Sequence, residues 1–190
     1  FLDNIGKVPD MPEFERIRWE SEVKFLKAYY HYYIFRMYGP IAIIKENVPV
    51  DASIEEVYPA RAPVDSCVNY IVQLIDEATP GLPEQIDNEV SELGRITRAI
   101  ALAIKAEVLV TAASPLFNGN PDYASFKDPA GTLLFSQSFD PKKWERARDA
   151  AKAAVEYAES RGHKLYTFNP AFFQYKISDT LKVQMNIRNA

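Results

Sequence analysis

The side chains of this chain that are best suited to touch a ligand are aromatic. Tyr29, Tyr30, Tyr32 and Tyr33 crowd one short span, and a second group, Phe117, Asn118, Asn120, Asp122, Tyr123 and Phe126, mixes rings with short amides and carboxylates. A ring offers a flat apolar face for stacking on a flat or sugar-like ligand, and the short polar groups can take hydroxyls at its edge. The tyrosines cannot form one platform, because adjacent positions on a helix point in different directions. They are expected to pack between helices, with some hydroxyls hydrogen-bonded at the rim. The second group therefore supplies the candidate ligand-binding residues. The plainer alternative is a loop that only covers helix ends.

Other chemistries lack their residues. His31 and His163 are the only histidines and lie far apart in sequence. With no His-Glu-x-x-His, no Cys-x-x-Cys and no Asp-rich calcium loop, no metal site is expected. No glycine-rich phosphate cradle occurs either, so no nucleotide and no other cofactor is expected. Ser114 precedes a proline rather than sitting in a nucleophile elbow. Two acids could in principle meet as a glycosidase pair, yet the acids fall where helix faces and caps want them. Catalysis is not expected. Cys67 is the single cysteine, in an apolar run where it reads as a small buried hydrophobe.

Bulk properties narrow the field further. The chain has 190 residues, 47% apolar and 25% charged, which suits a globular core. Its net charge of -4 gives no basic field for nucleic acid or an anionic membrane surface. No apolar run approaches the roughly 20 residues of a membrane helix. The chain opens at Phe1 and closes on Ala190, and it is expected to be an internal stretch of a longer protein.

The elements that must position these groups are helices. Residues 12–38 read as one long helix, started by Pro12 with Glu13 and Glu15 in its first turn and stopped by Gly39-Pro40. Val23, Leu26, Tyr30, Tyr33 and Met37 form one stripe, and Phe25, Tyr29 and Tyr32 a second beside it, so packing on more than one side is expected. Residues 41–44 form a short extended run. Ser53 and Glu56 make a capping box. Pro63 opens a second helix to about Ala78, closed by Thr79-Pro80-Gly81, and a polar, acidic loop follows.

Thr97 caps a third helix that runs to Ser114-Pro115. Asp140-Pro141 start a fourth that reaches about Arg161, with a narrow face of Trp144, Ala147, Ala151, Ala154, Val155 and Ala158. Between them, residues 115–139 form a loop long enough to suggest function. Arg36 is expected to pair with an acid in a buried or half-buried setting, and Gly94-Arg95 to serve the helix start rather than an anion. After residue 163 the pattern is undecided: Tyr166 to Tyr175 is an aromatic stretch, and Leu181 to Ile187 could be strand or helix. The fold class is all-α, four long helices with irregular loops, in one domain over 1–190.

Three segments then carry a resemblance. Glu20-Ser21-Glu22-Val23-Lys24-Phe25-Leu26-Lys27-Ala28-Tyr29-Tyr30, running to Arg36-Met37-Tyr38-Gly39-Pro40, resembles the signature of the SusD/RagB family. Arg61 to Leu82-Pro83 and Gly94-Arg95-Ile96-Thr97 through Asn118-Gly119 follow in the same order. The match covers roughly residues 15–160, with departures at Asp65-Ser66-Cys67 and Ile96.

The resemblance implies tetratricopeptide-like helix pairs in an α-α superhelix, the scaffold of a surface lipoprotein of a Bacteroidetes-type bacterium. Such a protein binds a glycan or other nutrient and works with a SusC-like TonB-dependent outer-membrane transporter. It touches the membrane only through a lipid anchor outside this stretch. The alternative is a generic protein-interaction scaffold of tetratricopeptide-like type.

Overall fold

A computed structural model describes residues 1–167 and 177–189, so most of the Tyr166–Tyr175 stretch lies outside the described residues. Eight α-helices are described: α1 (Leu2–Ile5), α2 (Glu13–Tyr38), α3 (Ile54–Val57), α4 (Val64–Ala78), α5 (Glu89–Glu92), α6 (Arg98–Ala113), α7 (Pro141–Ser160) and α8 (Asp179–Asn189). No strand occurs among the described residues, only an isolated bridge between Lys127 and Leu133. The all-α fold class stands. None of the described helices is long and apolar enough to cross a membrane.

Local chemistry sets the helix ends. The Ser53 hydroxyl accepts the Glu56 amide while the Glu56 carboxylate accepts the Ser53 amide at 2.8 Å, so the capping box forms and holds the Glu56 carboxyl below its usual range. Thr97 accepts the Ile100 amide, and Asp140 accepts the Lys142 amide at 2.9 Å. Gly39 ends α2 at φ 71°, its amide returning to the Phe35 carbonyl. The acidic loop contains a short turn that the sequence did not suggest. There Asn88 caps α5 by accepting the Val90 and Ser91 amides. Leu181 to Ile187 is helical, within α8.

The described chain falls into two compact units, Phe1–Val155 and Glu156–Ala190. The core of the first is three helices, with α4 packed against both α2 and α6. The α4 face Val64, Cys67, Val68, Ile71, Leu74, Ile75 and Ala78 is buried. Burial raises the Cys67 thiol pKa, so it stays protonated. Ala101, Ala112 and Ala113 are nearly inaccessible on α6, and such small side chains let backbones approach closely. On α7 Ala147 alone is fully buried, and Trp144 and Val155 remain exposed, so the small-residue face packs over less of its length than expected. The second unit holds α8 and an arginine–ring contact, Arg161 over Tyr157 at 5.5 Å.

On α2 the structure separates the two stripes. Ser21, Phe25, Ala28, Tyr32 and Phe35 are buried at steps of four and three. The neighbouring stripe faces outward, with Tyr30 at 62%, Tyr33 at 49% and Met37 at 63% exposure. The expectation that all four tyrosines pack between helices is therefore corrected. Tyr32, 1% exposed, does so; the other three lie on or beside the open face. The Tyr32 hydroxyl meets Glu107 at 3.1 Å and Thr111 at 3.0 Å, and desolvation raises its pKa. Arg36 pairs with Glu107 at 3.2 Å, as expected, with both side chains about half exposed.

Ion pairs tie the loop before α6 to α2. Arg95 meets Glu22 at 2.9 Å and Glu92 at 2.8 Å, and Arg18 reaches Glu92 at 3.1 Å. The two arginines hold the Glu92 carboxyl below the usual carboxylate range, the Arg18 hydrogen bond foremost. Arg98 donates to the carbonyls of Thr79, Pro80 and Leu82 and so satisfies the 3-10 turn that follows α4.

Candidate functional site

The loop from Ser114 to Asp140 is built around one asparagine. Asn118 donates from Nδ2 to the Asp140 carbonyl at 3.0 Å, and its Oδ1 accepts the Asp140 amide at 2.8 Å. Both ends of the loop are thereby pinned together, just before the Asp140 cap of α7. Gly119 follows at φ 77°, a left-handed turn in which glycine is favoured. Asn120 then accepts the Asp122 amide and starts a 3-10 turn, Pro121–Tyr123.

A ladder of rings runs through this loop from the core towards solvent. Buried Phe35 of α2 lies 4.8 Å from Phe117, and Phe117 stacks on Phe135 at 5.9 Å. Tyr123 stacks on Phe135 at 4.3 Å, with Phe126 edge-on to both. Beyond Phe126 the chain doubles back. The Leu134 amide donates to the Phe126 carbonyl, and Asp128 and Thr132 exchange hydrogen bonds across a turn that includes Gly131 at φ 86°. The Leu134 carbonyl accepts the Val64 amide at 2.9 Å, which fastens this turn to the start of α4.

The six residues singled out by sequence therefore divide. Phe117, 5% exposed, and Asn118, 4% exposed, are buried and act as loop architecture. Asn120 caps the 3-10 turn, with Asp122 exposed beside it. Tyr123 and Phe126 present their rings partly to solvent.

Phe126 lines a cleft of about 520 Å³ with Tyr58, Arg61, Lys127 and Asp128. Sequence reasoning missed these four partners. The available signal was Tyr58-Pro59-Ala60-Arg61-Ala62-Pro63, a proline-rich connector carrying an exposed ring and a cation.

Two further clefts, of about 520 and 480 Å³, run along the outward face of α2 and share Tyr30, His31 and Ile44. Their walls are largely apolar, and of their polar side chains His31 and Lys27 are committed to the backbone, while Arg61 lines the second of them as well as the Phe126 cleft. His31 Nδ1 donates to the Lys27 carbonyl at 2.7 Å, the tautomer that leaves Nε2 to accept the Ile44 amide, and Lys27 Nζ donates to the Lys45 carbonyl. In the Phe126 cleft the side chains of Tyr58, Arg61 and Lys127 make no hydrogen bond or ion pair with the described residues. A ligand site needs polar groups still free to bind, and this cleft has them. Among the described residues no group of three or more His, Cys, Asp or Glu side chains could hold a metal ion.

Comparison of the fold with solved structures gives strong matches. BT4246 superposes with a TM-score of 0.83 at 33% sequence identity, covering 97% of this chain and 34% of its own. A laminarin-binding SusD-like protein matches at a TM-score of 0.51 and 25% identity, over 59% of this chain and 23% of its own. The chain is SusD-like. A SusD-like protein from Bacteroides fragilis, BF3747, shares the fold at a TM-score of 0.58 and 21% identity, over 83% of this chain and 24% of its own. The SusD-like chain thus spans about a third of the length of BT4246 and about a quarter of the other two. No family model matches the sequence, and no curated protein does.

Proposed function

We propose that this SusD-like chain belongs to a cell-surface glycan-binding protein that captures its ligand without turnover, and that the Tyr58–Phe126 cleft contributes to capture. The observation that carries the reading is an open cleft with two aromatic walls and unspent polar side chains, on a fold shared with a laminarin-binding protein. Of the six loop residues, Phe126 would touch the sugar, Tyr123 would back it, and Phe117 and Asn118 would hold the loop in place.

Stacking on an exposed ring contributes roughly 1 kcal/mol per ring. Tyr58→Ala with Phe126→Ala should therefore weaken binding by about 30-fold. Calorimetric titration against a panel of oligosaccharides, laminarin among them, checks this, with circular dichroism to confirm that the fold is unchanged. Unaltered affinity in the double variant would remove the cleft from the site. No binding to any oligosaccharide would remove the glycan reading.

A partner reading rests on a different observation, the outward stripe of α2. Leu26, Tyr30, Tyr33, Ile34 and Met37 are all exposed along the outward side of α2, an apolar stripe where a solvated helix face is ordinarily polar. That face suits a protein partner, and we propose a SusC-like TonB-dependent transporter, with this chain lying at the outer membrane of a Bacteroidetes-type bacterium. Tyr30→Asp with Met37→Asp should abolish co-purification with the barrel while leaving oligosaccharide affinity unchanged. Undiminished co-purification would move the docking surface elsewhere, and recovery of only soluble partners would favour the generic scaffold.

A further inference from the structure

The cleft between Tyr58 and Phe126 has a charge balance opposite to that of the chain. The sequence carries a net charge of -4, yet the ionisable side chains lining this cleft, besides Tyr58, are Arg61, Lys127 and Asp128. The acid is already engaged, because Asp128 Oδ1 accepts the Thr132 amide at 2.7 Å. The two cations are not. Elsewhere in the first unit Arg16, Arg18, Arg36 and Arg95 each hold at least one glutamate. Arg61 and Lys127 have no counter-ion among the described residues, in a chain with a surplus of acids. Folding makes no use of either charge.

Resting on the glycan-binding reading above, we infer that the cleft takes an acidic saccharide, with a carboxylate or sulfate held by Arg61 and Lys127 and a sugar face against Tyr58 and Phe126. A guanidinium presents paired N–H donors that match either oxyanion, and an ammonium adds a compact second charge. The rings supply what a simple anion site lacks, an apolar surface for the ring that carries the charge. The two cations reach the cleft from segments far apart in sequence, one from the connector before α4 and one from the turn after Phe126. The Val64–Leu134 hydrogen bond holds those segments together.

The test is a titration with three oligosaccharides of matched length: a neutral galactan, a galacturonan and a sulfated galactan. At low salt at least one acidic ligand should bind about tenfold more tightly than the neutral one, and the preference should shrink as ionic strength rises. Arg61→Gln with Lys127→Gln should erase the preference while neutral binding persists. Equal affinity for neutral and acidic ligands, or a preference that survives the double substitution, overturns the inference and leaves the glycan reading intact. Failure of all three to bind overturns the inference, and the wider oligosaccharide panel then decides the glycan reading. The relative strength of the galacturonan and the sulfated galactan tells which oxyanion is preferred.

Discussion

Replacing Phe35 with alanine is expected to cost about 3–5 kcal/mol of stability, the range for deleting a fully buried phenylalanine. The ring is 0% exposed and lies at the junction of α2 with the aromatic ladder, 4.8 Å from Phe117. Its loss leaves a cavity that helices pinned on both sides can close only in part. Tyr33→Ala, on the opposite face of the same helix, should cost no more than about 0.5 kcal/mol, as surface substitutions usually do. Urea unfolding of the two variants checks the pair, with a fall in midpoint at constant slope for Phe35→Ala. Equal costs would mean that the buried stripe of α2 has been assigned to the wrong face. Phe35→Ala should also weaken oligosaccharide binding, because Phe117, Phe135 and Tyr123 transmit its packing to Phe126.

Gly119→Ala should have a comparable effect through a different cause. A methyl group there would stand 2.6 Å from the Phe139 nitrogen and 2.9 Å from its Cα, both backbone atoms that cannot rotate away. The residue also sits at φ 77°, where an L side chain adds about 1–2 kcal/mol. Relief by backbone movement is blocked, because Asn118 and Asp140 clamp the loop on either side. Overpacking adds about 1–3 kcal/mol, so the total is about 2–5 kcal/mol. Gly131→Ala serves as the control: its φ is 86° but nothing lies within 4 Å of the added carbon. That variant should lose only the conformational part, about 1–2 kcal/mol. If the two lose the same stability by thermal or urea unfolding, the contact with Phe139 is not made.

The helix starts and stops were legible in the sequence because they depend on hydrogen bonds within one turn. Ser53 with Glu56, Thr97 and Asp140 each cap the helix they were read to cap, and Gly39-Pro40 ends α2 where expected. The ordered motifs likewise pointed to the fold that the solved structures share. Such signals survive without knowledge of neighbours, since every group involved lies within about four residues of its partner.

The burial of α2 was not legible. Its two apolar stripes look equally suited to a core, and only the arrival of α4 and α6 decides that Phe25, Tyr32 and Phe35 go inward and Tyr30, Tyr33 and Met37 stay outside. The aromatic loop was recognised as a group, but the parts of its members were set by contacts at a distance. Phe117 was drawn under by Phe35, and Asn118 by the backbone of Asp140. The candidate cleft is the clearest case. Tyr58 and Arg61 share a cleft with Phe126 and Lys127 because their two segments come together, the Val64 amide at the start of α4 meeting the carbonyl of Leu134. Residue types and caps are properties of the chain. Which surfaces face each other depends on how three helices divide their apolar area between core and solvent, and that is decided only when they pack.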